Sequence, residues 1–179
     1  MKTSKTDTPV TLFFAAGYLL LFLYTAAFLP HAAYDAASGT LKVVPDLLLC
    51  FSIVHGLLDE NRRRAAIMAL VTGFLCDVFI MPPSHLSPLL FSLGAYFAPF
   101  VFRAFTRKNV LSATVSALPF FAARFITGAV FLLSEHRELT LGTALTKALL
   151  PEFGKNVLCV IITYLVIHFL FTRFSRKFC

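Results

Sequence analysis

VVPDLLLCFSIVHGLLDENRRRAAIMALVTGFLCDVFIMPP, residues 43–83, is two apolar runs joined by one charged turn. The first run opens at Val44-Pro45-Asp46 and ends at Leu58. The turn is Asp59-Glu60-Asn61-Arg62-Arg63-Arg64. The second run starts at Ala65 and carries one carboxylate, Asp77, before Met81-Pro82-Pro83. A third apolar run follows from Pro88 to Phe105. The pattern predicts three membrane helices, with an antiparallel hairpin bringing Asp46 and Asp77 to the same leaflet. An acid inside an apolar segment is costly in hydrocarbon, so each needs a partner or a role.

Composition places the whole chain in that class. Of 179 residues, 58% are hydrophobic and 14% charged, and the mean hydropathy is +0.80. A soluble domain is about half apolar and about a quarter charged. The expectation is therefore an all-α integral membrane protein, with residues 1–179 forming one polytopic domain. The helices are expected at about 10–30, 43–58, 65–81, 88–105, 110–133 and 151–172. The net charge of +7 invites a nucleic-acid reading, but the charges sit in short turns beside apolar runs, and no nucleic acid is expected. Residues 10–30 are long enough to span and longer than a signal-peptide core, which predicts an uncleaved first helix. Ser38-Gly39 marks a turn in the loop that follows.

The helices have distinct faces. At about 100° per residue, Ala65, Ala66, Ala69, Thr72, Gly73, Cys76 and Asp77 share one arc of the third helix. Ile67, Met68, Leu70, Val71, Phe74, Leu75, Val78 and Phe79 fill the rest. Small residues allow close approach in lipid, so the small arc should face protein, with Asp77 on its edge. Pro45 suits the first turn of the second helix, where a missing N–H costs nothing. Ser52 and Gly56 form a small-xxx-small approach site. Ser87 is expected to cap the fourth helix ahead of Pro88, and Pro99 to kink it. Ser112, Ser116, Ala117, Arg124, Thr127 and Gly128 share a face of the fifth helix. Asn156, Cys159 and Thr163 form a polar stripe on the sixth.

Lys2, Lys5, Arg62, Arg63, Arg64, Arg103, Arg107, Lys108, Arg173, Arg176 and Lys177 fall on one side of this topology. Lys42, Arg137 and Lys147 fall on the other. Positive residues stay cytoplasmic, which puts both termini inside. Arg62-Arg63-Arg64 is foremost a topogenic turn, with anionic lipid headgroups as a further reading.

No catalytic or phosphate-binding motif is present, so no catalytic residue, cofactor or metal is expected. The histidines His31, His55, His85, His136 and His168 are scattered and suit interfacial or packing roles rather than metal ligation. Cys50, Cys76 and Cys159 lie in apolar runs and suit small buried fillers. Asp77 should lie roughly 6 Å from the outer end of its helix and Arg124 roughly 13 Å from the outer end of the fifth, at about 1.5 Å per residue. The Arg124 side chain is long enough to bridge that difference, so a buried Asp77–Arg124 pair or an Asp capped by backbone N–H groups is expected to fix helix register, or else an outward-facing ligand or proton site is expected.

Val44-Pro45-Asp46-Leu47-Leu48-Leu49, a basic turn, then Gly73-Phe74-Leu75-Cys76-Asp77, resembles the rod shape-determining MreD family. That family shows Pro-Asp opening a leucine-rich helix and Gly-x-x-x-Asp near the end of the next. The likeness covers roughly residues 44–105, with hydropathy alone matching elsewhere. It departs at Met81-Pro82-Pro83, where a small residue or Leu and then Gly are more usual. The resemblance implies a non-enzymatic scaffold of the bacterial inner membrane. Such a scaffold binds a bitopic MreC-like protein. Together they link MreB filaments to a RodA-type peptidoglycan glycosyltransferase and its transpeptidase. It also implies a six-helix bundle similar to the substrate-binding subunits of energy-coupling-factor transporters. Pro45, Asp46, Gly73 and Asp77 carry the resemblance; Arg124 is a separate inference from burial. Ser52, Gly56, Ala69 and Gly73 are expected to pack helices or to receive the partner's membrane helix. Transport of a vitamin-type small molecule is the rival reading, although the first helix lacks the Ala-x-x-x-Ala contact motif of transport subunits.

Overall fold

Asp46 is where the chain turns into its central helix. In this computed structural model, its Oδ1 accepts the Leu49 N–H at 3.0 Å, capping α2, Leu47–Leu58. Such a cap satisfies an N–H that the first turn would otherwise leave without a partner. The helix is apolar all round, and its residues from Leu48 to Gly56 are all buried. All-round apolarity marks a helix enclosed by others. It packs against α1 (Asp7–Phe28), α3 (Arg62–Phe79), α4 (Ser87–Ala104), α5 (Val110–Glu135) and α7 (Leu150–Phe178).

The structure describes residues 7–28, 34–35, 40–41, 46–79, 86–107, 109–135 and 140–178. Two short strands, β1 (Tyr34–Asp35) and β2 (Thr40–Leu41), pair antiparallel with Tyr34 opposite Leu41. The expected Ser38-Gly39 turn between them lies outside the described residues, as do Pro45 and Met81-Pro82-Pro83. Apart from those strands the fold is helical. Among the described residues, three helices are long and apolar enough to cross a membrane, over Thr8–Ala27, Val110–Val130 and Leu150–Arg173.

The α3 face agrees with its periodicity. Ala65, Ala69, Thr72, Gly73, Cys76 and Asp77 are buried, while Ile67, Leu70, Val71, Phe74, Leu75, Val78 and Phe79 are exposed; Ala66 and Met68 are half-buried, Met68 against the core. Small residues set the distance to α4. A Cβ on Gly73 would lie 2.6 Å from Pro88 Cα, and one on Gly56 would lie 2.0 Å from the Ala95 carbonyl oxygen. Ser52 and Ala69 are fully buried too. Gly56 and Gly73 thus pack against the α4 backbone, with Ser52 and Ala69 buried within the bundle.

Several boundaries differ from expectation. The third helix starts at Arg62, because Asn61 Oδ1 accepts the Arg64 N–H at 3.2 Å and carries the helix back through the arginines. Ser87 does not cap α4: the cap is Leu86, with no side-chain cap hydrogen bond, and Ser87 is buried in the first turn beside Pro88. The polar stretch after α5 is not all loop. Thr140 caps a short helix α6, Leu141–Ala144, through the Thr143 N–H, and a wider π turn, Leu145–Leu149, leads into α7. Pro99 and Pro119 both lie inside their helices.

Candidate functional site: polar clusters at the two ends of α2

At the N-terminal end of α2, three helices meet on Asp46. Its backbone N–H donates to Asn156 Oδ1 at 2.7 Å, tying α2 to α7. The Cys50 thiol donates to the Asn156 carbonyl at 3.6 Å, within sulfur range. From α5, Arg124 Nε lies 3.5 Å from Asp46 Oδ2 and 3.9 Å from Glu152 Oε1. Arg124 thus pairs with Asp46 and Glu152. The expected Asp77–Arg124 pair is not formed. The physical reason is reach along α5: Arg124 sits level with the cap of α2 and the first turn of α7.

Asp77 comes to the same region on α3, within electrostatic range of Asp46. It is 7% exposed, and neither carboxylate oxygen has a hydrogen-bond partner. The cluster therefore holds Asp46 and Glu152 at the Arg124 guanidinium, with Asp77 near Asp46. No group of three or more His, Cys, Asp or Glu among the described residues has the arrangement to hold a metal ion.

The C-terminal end of α2 carries a cluster absent from the sequence-based expectations. His55 is fully buried and stacks on Phe14 with ring centroids 3.8 Å apart. Its Nε2 donates to Asp59 Oδ2 at 3.1 Å, which leaves Nδ1 of the neutral ring to accept from the Tyr18 hydroxyl at 3.2 Å. Arg64 grips Asp59 with two bonds, Nε to Oδ2 at 2.9 Å and Nη2 to Oδ1 at 2.7 Å. Its Nη1 donates to Thr11 Oγ1 at 3.0 Å. The forked contact is the geometry that suits guanidinium and carboxylate. One network thereby joins α1, α2, the α2–α3 turn and α3. Of the three arginines read as a topogenic turn, Arg64 is structural and Arg62 lies over the Phe100 ring at 4.1 Å. His55-x-x-x-Asp59 at i, i+4, followed by Arg64, was the available signal, because i, i+4 residues face each other on a helix.

Burial would raise the Asp59 carboxyl, but the hydrogen bonds from His55, Arg64 and the Asn61 N–H outweigh it and hold the group at about 2. The unfolded value is about 3.9. A depressed folded value adds stability above the unfolded value, and that stability is lost as pH falls through the folded one. The difference in thermal midpoint between the parent chain and Asp59→Asn in detergent should therefore stay constant from pH 7 to about 4, then shrink towards pH 2. A constant difference down to pH 2 would remove Asp59 from this role.

No protein-family model, curated protein or solved structure matches this chain.

Proposed function

We propose that this chain is a non-enzymatic scaffold of the MreD type, crossing the bacterial inner membrane six times with both termini cytoplasmic. On this reading it binds an MreC-like bitopic protein and, through it, connects MreB filaments with RodA-type peptidoglycan synthesis. One observation carries the reading. Asp46 and Asp77, the acids of the two short motifs, come to the same end of the bundle from different helices. The other polar side chains support it by holding helices together: Asp46, Asn156 and Arg124 at one end, His55, Asp59 and Arg64 at the other. Helix α2 is enclosed by α1, α3, α4, α5 and α7, so its short length suits a locally thinned bilayer.

Two measurements test it. Single cysteines in place of Glu60 and Lys108 should label from the cytoplasm, and those in place of Ser38 and Glu138 from outside. Labelling of Ser38 and Glu138 positions from the cytoplasm alone would end the six-span reading. Purification from membranes should bring along a single-span protein, and depletion should turn rods into round cells. The uncompensated carboxylate oxygens of Asp77 favour transport of a small ligand as the second reading. Loss of nutrient uptake with retained rod shape would move the assignment there.

A further inference from the structure

An open, almost wholly apolar groove runs between α1 and α7, with a volume of about 670 Å³. Ala16 and Leu20 form one wall, Ile162, Val166 and Leu170 the other, and Phe51 of α2 the floor. The helices meet where Phe171 lies 6.0 Å from Phe13 and 5.6 Å from Phe14, ring centroid to centroid. We infer that this groove binds an acyl chain of an anionic phospholipid from the leaflet on the side of the termini.

Length selects the occupant. Along α1 the lining runs from Leu12 to Leu21, and along α7 from Ile162 to Leu170. At about 1.5 Å per residue those are roughly 14 and 12 Å. The hydrocarbon core is about 30 Å thick, so one leaflet is about 15 Å. The groove matches one leaflet and is half of what a spanning partner helix of about 20 residues needs. The α7 lining lies in the half of its span nearest the C-terminus, and the α1 lining runs from the half nearest the N-terminus across the middle of its span. Charge selects the headgroup. Arg173, exposed and seated over the Phe169 ring at 4.6 Å, follows Leu170 by one turn. Arg176 and Lys177 follow on α7, and Lys2 and Lys5 precede α1 in the sequence. Basic residues at a membrane surface attract anionic lipid. The inference needs α1 and α7 to cross the membrane and is independent of the proposed protein partner.

The chain contains no tryptophan, which gives a dark background for fluorescence. Leu20 on the groove rim is 67% exposed and Ile67 on the outer face of α3 is 61% exposed, so Leu20→Trp and Ile67→Trp are matched sites that neither core packing nor a hydrogen bond depends on. The purified full chain in detergent is titrated with phosphatidylglycerol or phosphatidylcholine brominated on the acyl chain. Tryptophan at position 20 should be quenched saturably, with phosphatidylglycerol preferred by about fivefold or more. Tryptophan at 67 should show shallow quenching without headgroup preference. Arg173→Gln should reduce the preference, and Ala16→Phe should remove the saturable phase. Equal quenching at the two sites, or saturation indifferent to headgroup, would overturn the inference. So would a dimer in native mass spectra whose position-20 tryptophan stays unquenched, which would assign the groove to a second copy of this chain.

Discussion

Gly56→Leu is expected to leave almost no folded protein in the membrane. A Cβ at this position would lie 2.0 Å from the Ala95 carbonyl oxygen and 2.8 Å from Ala95 Cα. Those are backbone atoms, so no rotamer change relieves the clash and α4 must move away from α2. Overpacking a core costs about 1–3 kcal/mol and occasionally more; a backbone clash belongs at or above the top of that range. The separation of α2 and α4 also loosens Ile53 and Gly94, which meet at the same interface. Membrane abundance and the thermal midpoint in detergent are the readouts, with Ile67→Leu on the outward face as the neutral control. Even Gly56→Ala should lower the midpoint. A Gly56→Leu protein that stayed abundant and merely lost a binding partner would show that this face is open, against the packing described.

Arg124→Gln should produce the second large loss. It removes the counter-ion from Asp46 and from Glu152. Breaking a fully buried pair by removing one member costs about 3–5 kcal/mol; with the Arg124 and Glu152 side chains 18% and 27% exposed, the loss should fall below that range. Asp46→Asn is the informative companion, because Asn still offers an oxygen to cap α2 while its charge is gone. Combined with Arg124→Gln it should recover part of the lost stability. Asp77→Asn combined with Arg124→Gln should recover less. The comparison is a double-mutant cycle, in which residues in contact couple by about 0.5–3 kcal/mol. Rescue by Asp77→Asn and not by Asp46→Asn would reinstate the pairing expected from helix depth.

The faces of the helices were legible in the sequence, and the partners of the charges were not. The small arc of α3 is a local property: at 100° per residue, Ala65, Ala69, Gly73 and Asp77 must share a side whatever surrounds them. Pairing across helices depends on relative height and rotation, which no periodicity carries. Arg124 was placed by its depth in α5 alone, yet its reach is set by where α2 starts, and α2 starts at its Asp46 cap rather than at Val43. The His55–Asp59–Arg64 network was hidden for another reason. Scattered histidines invite a search for metal sites, while His55 serves by its ring stacking and two hydrogen bonds. The arginine turn was legible as a topological signal, but not as the place where Arg64 reaches back to Thr11 on α1.

The bond from the Asp46 N–H to Asn156 joins residues 110 positions apart. At a synthesis rate of about 5–20 residues per second, the ribosome delivers Asn156 roughly 6–22 s after Asp46. During that interval α2, with 12 residues, covers about 18 Å of a hydrocarbon core about 30 Å thick. On the proposed six-span reading, the central helix enters the bilayer early and acquires this fastening only when α7 emerges. That reading gives biogenesis a waiting state, and a nascent chain halted before residue 150 should then be held by the insertion machinery or degraded.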